Sequence, residues 1–561
     1  MTHEADLQPH RTRAQCLSAP LLVSRIHRSG AANTGGGPRL RRLALIDRRD
    51  GQIALTAVGW IAIALLLLIV SALLIARTFH NGAYPMDEGT LLVYPTRVLD
   101  GDVPNRDFEH FYGPGNLWLL ATTYFFAGVS VTVERSVGIA YRLVIILAIF
   151  ALARRSGAIV AVAAGLVAAF ILAALGSSAL AWFGGFALAL SSLALATERL
   201  RARDDAQGDA SGQSFLAGLL AGLALVFRLD LALAVILSSL ALLPSASRRE
   251  RRAHLLGLIV GASPYAVHIW LAGLRPAVRG LIIDPISVQS SGRRLPLPPD
   301  NSAVAAVLYL VVLSALGLLA WSLYRWHSNP GATQDRRLLA VALFSFGILP
   351  QMFQRDDIVH VLFGACLPLA FLPVLLATIA RQHAPRLTIV AAAGGVALVL
   401  FLTARAVDKS IAVGVFPSYA VQHDGRSFPL PSKLDAPDMQ LFLADVDRIA
   451  RPGQRLFVGP RDLRRTNYND TYLYFLLPKL EPATYFLEMN PGSANRVHSR
   501  LAADIRSADL LILTDAYDQS SEPNSSRDFG PTDPGDVVRD DFCTLATRSH
   551  WTLLARCASR N

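Results

Sequence analysis

The chain has 561 residues, of which 52% are hydrophobic and 17% charged, whereas a soluble globular protein carries about a quarter charged residues. Its net charge of +11 is spread as arginines between apolar runs, which excludes a nucleic-acid-binding surface and points to a chain that sits in lipid. Four cysteines, Cys16, Cys366, Cys543 and Cys557, show no CxxC spacing and no neighbouring histidine pattern, so a cysteine-built metal framework is excluded as well.

Residues 1–50 hold Gly35, Gly36, Gly37 and Pro38, followed by Arg39, Arg41, Arg42, Arg48 and Arg49, and read as a disordered, basic cytoplasmic tail. No small-residue cleavage site follows the first apolar run, so that run reads as an uncleaved span. A helix crossing the hydrocarbon core needs about 20 largely apolar residues. Within 51–405 the runs that meet or approach this are 52–78, 137–153, 157–175, 178–197, 253–272, 303–323, 358–380 and 387–405, with shorter runs at 215–227, 229–243 and 338–350. Taken as eleven spans with the N-terminus inside, the cytoplasmic loops receive Arg154 and Arg155, Arg199 to Arg203, Arg248 to Arg252, Arg325 with Arg336 and Arg337, and Arg381 with Arg386. That is the lysine and arginine bias expected of inside loops. The expected class is therefore an α-helical polytopic protein of the plasma (inner) membrane.

The first outer loop, 79–135, is polar, turn-rich and dense in titratable groups. It opens with Asp87 and Glu88 and continues through Arg106, Asp107, His110 and Tyr112. A carboxylate pair after a turn also suits a helix N-terminus, where the dipole favours negative charge. The run 116–128 carries Trp118, Tyr124, Phe125 and Phe126 and reads as a helix lying at the membrane interface.

Further charges punctuate the apolar runs on the same outer side. Arg228 and Asp230 stand between two short runs, and either pair across a hairpin or face a cavity. The loop 273–302 breaks the charge bias with Arg275, Arg279, Arg293 and Arg294, as an anion site would. Arg355, Asp356, Asp357 and His360 gather after another short run. Such a group suits a phosphate, and His360 with Asp356 would alternatively hold a divalent cation; the sequence alone leaves the metal unknown.

After residue 405 the composition turns to Asp, Asn, Pro and Ser, with β-type runs at 456–459 and 510–514 and helix-like segments near 439–450 and 497–507. Residues 406–561 are therefore expected to form a small soluble α/β domain on the outer face. Cys543 and Cys557 fall in it, either bridged in an oxidising compartment or as two free thiols.

In the order of these parts the chain resembles the GT-C-type glycosyltransferases, the multi-span superfamily that includes the protein O-mannosyltransferases and the aminoarabinose transferases of lipid A. The resemblance rests on one span, a large outer loop opening with Asp87-Glu88, Gly113-Pro114 leading into an interfacial helix, Gly128, Arg135 and a span ending in Arg154-Arg155. The late Arg355 to His360 segment and the span containing Pro368 complete it. Where that family commonly has a basic residue before a Pro-Pro pair, this chain has Tyr112-Gly113-Pro114-Gly115.

The resemblance implies transfer of a sugar from a polyprenyl-phosphate donor to a glycan, lipid or protein acceptor outside the membrane. It makes Asp87 the catalytic base, with Glu88 its neighbouring alternative. Arg355, with one or more of Arg228, Arg293 and Arg294, would hold the phosphate. A secondary transporter and a non-catalytic envelope assembly protein are the rival readings. The absence of an internal repeat and the size of the outer loop favour the enzyme.

Overall fold

The structure, a computed structural model, describes residues 56–204, 210–329, 332–410, 418–433 and 435–557. The expected tail 1–50 lies outside the described residues. Among these, eight helices are long and apolar enough to cross a membrane: Ala57–Ala76, Val131–Ser156, Ala181–Arg199, Arg248–Ala272, Ser302–Ser328, Thr333–Gln354, Ile358–His383 and Pro385–Val407. Ala158–Ala174, Ser211–Phe227 and Leu229–Ser245 are shorter apolar helices, each reaching only about 25 Å at 1.5 Å per residue. The expected count of eleven crossings is thus met by eight on length. The run at 338–350 gains polar turns at both ends and becomes long, whereas the run at 157–175 stays short.

Local chemistry explains where these helices begin. Helix α1, Ala57–Ala76, is capped by the Thr56 hydroxyl, which accepts from the Gly59 N–H at 3.2 Å. Arg248–Ala262 starts five residues before its apolar run because Ser247 and Glu250 form a reciprocal capping box. It packs on Ser211–Phe227 through glycines on both sides. A Cβ at Gly218 would lie 2.0 Å from the His254 carbonyl oxygen, and one at Gly257 2.1 Å from that of Phe215. Small residues spaced by four let two backbones meet in this way in lipid.

Three further helices position the site. α2 is Asp87–Leu99, with both acidic residues in its first turn; α3 is Gly115–Ala127; α4 is Val131–Ala153, capped by Ser130. α3 leaves Phe125 and Phe126 exposed, as a helix facing lipid would.

The C-terminal part contains a hairpin of β1 (Tyr419–His423) and β2 (Arg426–Leu430) and a five-stranded sheet. The sheet strands are β3 (Arg455–Pro460), β4 (Glu481–Pro482), β5 (Leu510–Thr514), β6 (Phe542–Arg548) and β7 (Trp551–Arg556), in the order β4-β3-β5-β7-β6. β4, β3 and β5 run parallel, and β7 and β6 close the sheet antiparallel. Helices Asp435–Ile449 and Leu501–Arg506 supply the α elements. Cys543 and Cys557 are disulfide-bonded, bridging β6 to the residue after β7.

This part packs closely on the outer loop. The Ala83 N–H donates to the Pro429 carbonyl at 2.6 Å, the Glu109 N–H to that of Tyr485 at 2.8 Å and the Tyr472 N–H to that of Pro85 at 3.2 Å. Gly89 allows the approach, since a Cβ there would lie 2.5 Å from the Tyr472 nitrogen. One apolar core runs from the helix bundle through Leu91 and Leu92 into Phe428 and Tyr472, whose rings stack at 4.6 Å.

Candidate active site

The first turn of α2 sends its two carboxylates in different directions, as successive helical residues must. Glu88 is buried, and the Arg135 guanidinium holds both its oxygens, Nε to Oε2 at 2.7 Å and Nη2 to Oε1 at 3.0 Å. Arg135 also donates to the carbonyls of Phe79 and Asn81, so this pair ties α4 to the end of the first span. Asp87 instead keeps access to solvent, with protein packed around it. Burial there pushes its carboxyl above its ordinary pKa; Arg293, Arg355 and His360 oppose the shift, and Asp357 adds to it.

The groups around Asp87 come from four separate stretches of chain. Asp357 caps the helix Ile358–Ala370 by accepting from the His360 N–H at 3.1 Å, and its carboxylate also holds the His360 Nδ1 at 3.0 Å. Burial opposes ionisation of Asp357, but His360 and Arg355 together draw its pKa well below the usual carboxylate range. Arg355 pairs with Asp357 on one side and with Glu522 on the other, Nη1 to Oε2 at 2.8 Å. Arg293 lies at the end of the short helix Ser290–Arg293. It donates to the Asn490 side-chain oxygen at 3.0 and 3.2 Å and to the Asn467 carbonyl at 3.2 Å, with the Tyr468 ring 5.4 Å away. Among the described residues no carboxylate forms an ion pair with Arg293, although its charge acts on both Asp87 and Glu488.

Glu488 completes the group from the C-terminal part. The Asn490 amide donates to it at 2.8 Å. Burial raises its pKa, reinforced by Asp87 and opposed by Asn490, Arg293 and Tyr94. Nothing in the sequence signals Glu488, Tyr468 or Glu522. They lie in turn-rich segments whose patterning carries no sign that they return to the membrane side.

The other residues singled out from the sequence fall into two groups. Arg228 pairs with Asp230, Nε to Oδ1 at 3.0 Å, and stands 4.4 Å from the Tyr112 ring. Asp230 in turn accepts from Gln351. This is the hairpin pair, at the wall near Tyr112. His110 is buried between the rings of Tyr94 and Tyr112, at 5.6 and 5.8 Å; burial and the nearby His268 push its pKa down to about 3.

Arg106 and Asp107 are not among the groups that act on Asp87. They pair at 2.8 Å, Arg106 reaches the Leu271 carbonyl, and Asp107 accepts from the Val103 N–H at 2.7 Å, closing a turn. Arg294 is exposed. Asp356 is buried, with one carboxylate oxygen lacking a hydrogen-bond partner, and burial raises its pKa. Among the described residues no three His, Cys, Asp or Glu side chains gather as a metal centre.

No family model and no curated protein matches the sequence. Among solved structures the chain is similar to ArnT from Cupriavidus metallidurans bound to undecaprenyl phosphate, with a TM-score of 0.52 and 12% identity over 90% of this chain and 99% of that one. The apo state of the same protein gives a TM-score of 0.50 and 14% identity over the same shares. The fold is of the GT-C type, as the order of its parts implied.

Proposed function

We propose that the chain is an inner-membrane glycosyltransferase that moves a sugar from a polyprenyl-phosphate donor to an acceptor hydroxyl at the extracytoplasmic face, with inversion at the anomeric carbon. The observation that carries this reading is the setting of Asp87. A solvent-accessible carboxylate lies within the field of Arg293, which no carboxylate pairs among the described residues, and of the Arg355–Asp357–His360 group, on a fold shared with a protein solved with undecaprenyl phosphate.

Asp87 accepts the proton of the acceptor hydroxyl as its oxygen bonds to the anomeric carbon. The bond from that carbon to the phosphate oxygen breaks, and its electron pair leaves with the polyprenyl phosphate. Arg293, with Arg355 beside it, holds the developing negative charge through charge-assisted hydrogen bonds. A phosphate is already a stable leaving group, so no strong general acid is required. Glu88 serves the scaffold through Arg135. The disulfide between Cys543 and Cys557 agrees with an oxidising, extracytoplasmic side for the C-terminal part.

The test is turnover by the purified full-length protein supplied with a panel of polyprenyl-phosphate sugars, with released polyprenyl phosphate and the new glycoside measured. Mass spectrometry of the cell envelope after deletion identifies the acceptor through the glycan that is lost. Uptake of a polar solute into proteoliposomes, with no transfer from any donor, would favour the transporter instead.

A further inference from the structure

Of the arginines that break the charge bias in the loop 273–302, Arg293 acts on Asp87, whereas Arg275 and Arg279 do not. These two lie one helical turn apart on a segment that runs helically from Leu274 to Arg293, with wide π-type turns at Arg279–Ile283 and Pro285–Gln289. The inner side of the segment is small and packs on the outer loop. Ala277 is buried with Val103, and a Cβ at Gly280 would lie 2.1 Å from the Asn105 side-chain nitrogen. The other side exposes Leu274, Ile282, Ile283 and Ile286, the last by 70%.

Water is a poor neighbour for so many large aliphatic side chains, and an exposed apolar strip of this kind marks an interaction surface. The helix before it shows what covers the strip. The membrane-spanning helix Arg248–Ala272 exposes Leu255, Leu256, Ile259, Val267 and Trp270, the last by 81%. Exposed apolar side chains thus follow one another along the chain from the lipid-facing side of that helix to Ile286. Cations accompany them. Arg275 is exposed and, among the described residues, pairs with no carboxylate. Arg279 is 46% exposed and meets Asp284 at 3.3 Å, and Arg106, which reaches the Leu271 carbonyl, is held by Asp107. Loops on the outer side are depleted of arginine, so an unpaired one beside lipid calls for an anion. Apolar side chains together with arginines are the pattern of a helix lying in the membrane interface, where anionic headgroups attract it.

We propose that the face from Leu274 to Ile286 docks an anionic phospholipid of the leaflet on the Asp87 side. Arg275 and Arg279 meet its phosphate, and Ile282, Ile283 and Ile286 lie along its acyl chains. A zwitterionic lipid carries its own ammonium beside the phosphate and gains no net attraction from Arg275, whereas a lipid with a net negative charge does. The assignment uses no step of the reaction proposed at Asp87, and its test reads no turnover.

In a background lacking Cys16 and Cys366, Ile286→Cys carries a bimane fluorophore, and the full-length protein is reconstituted into phosphatidylcholine vesicles. Nitroxide-labelled phosphatidylglycerol or nitroxide-labelled phosphatidylcholine of matched chains is added as quencher, and aqueous iodide is tried separately. Both lipids are expected to quench and iodide is not. Phosphatidylglycerol should reach half-quenching at about fivefold lower content, the worth of one basic residue at an anionic surface. Arg275→Gln combined with Arg279→Gln is expected to bring phosphatidylglycerol to the level of phosphatidylcholine and to leave quenching by phosphatidylcholine unchanged. Quenching by iodide alone would put the face in water, and quenching by none of the three would put it under protein; either overturns the proposal. So does equal quenching by the two lipids in the otherwise unaltered protein, or a preference that survives in the double variant.

Discussion

Arg355 and Glu522, 167 residues apart in the chain, form a two-armed ion pair in which each outer nitrogen of the guanidinium meets a separate carboxylate oxygen. Tyr468 and Asn524 each donate to the same carboxylate at 2.9 Å. A carboxylate in this fork occupies the guanidinium as a phosphate would. The proposed donor phosphate therefore competes with Glu522 for Arg355, whereas Arg293 is open to it. Glu522→Gln is expected to tighten donor binding by up to about tenfold, equivalent to about 1.4 kcal/mol. Arg293→Lys, which keeps the charge but loses the planar fork, is expected to weaken it more than Arg355→Lys does. Binding of polyprenyl phosphate by calorimetry measures all three. Weaker binding in Glu522→Gln would show that the pair supports the site and does not compete with donor.

Replacing Asp87 by Asn keeps the shape of the side chain and removes its basicity. The expected loss in kcat is about 10² to 10⁴, with donor affinity retained. The pH profile gives a second check. Asp87 must be ionised to accept a proton, and burial raises its pKa, so kcat/KM is expected to fall on acidification through a value above the ordinary aspartate range. Glu88→Gln is expected to act differently, because it leaves Arg135 buried without its partner. Breaking such a pair destabilises by about 3–5 kcal/mol, so the thermal midpoint and the yield of folded protein should fall. A Glu88→Gln enzyme that is well folded but inactive would move the base to Glu88.

Glu109 offers a pH-dependent stability test away from the catalytic chemistry. It is buried where the outer loop meets the C-terminal part, and Ser493 donates to it. Burial raises its pKa to about 8; Ser493 opposes the shift, and Glu488 and Asp284 reinforce it. The folded protein thus retains a proton that the unfolded chain releases near the ordinary glutamate value. Its contribution is fully present below that value and is lost as pH rises through about 8. Thermal midpoints measured from pH 5 to pH 9 should fall toward the alkaline end, and Glu109→Gln should flatten the fall. An unchanged slope in that variant would assign the pH dependence to another group.

The apolar runs were legible because hydropathy is a property of a short window: each of the eleven lies on a helix in the structure. The strands at 456–459 and 510–514 were legible for the same reason and became β3 and β5. The β1–β2 and β6–β7 hairpins were not, since β6 alternates weakly and exposes most of its side chains. In the site, the resemblance put Asp87 before Glu88, but no local pattern tells apart two carboxylates in one helical turn. Only Arg135, 47 residues later, separates them. The convergence of Arg293 and Glu488 on Asp87, and of Glu522 on Arg355, depends on long-range packing that no local pattern encodes. Arg106 and Asp107, singled out by composition, pair with each other and close a turn.

The proposed orientation of the chain is supported by where the arginines meet. Arg154 pairs with Glu198 at 2.5 Å, Arg199 with Glu250 at 3.6 Å and Arg325 with Asp335 at 2.9 Å, while Arg337 reaches the Thr197 carbonyl and Arg381 that of Ser156. Loops from far-apart segments thus gather their cations at one end of the bundle, the end the charge bias assigns to the cytoplasm. Asp87 and the disulfide-bonded part are joined to the other end. The disulfide spans 14 residues and by chain entropy contributes about 3 kcal/mol, so reduction should lower the thermal midpoint. In a background lacking Cys16 and Cys366, an impermeant maleimide applied to intact cells should label Asp540→Cys and leave Arg249→Cys unlabelled until the membrane is opened. The reverse pattern would place Asp87 on the cytoplasmic side, and the proposed extracytoplasmic transfer would fall with it.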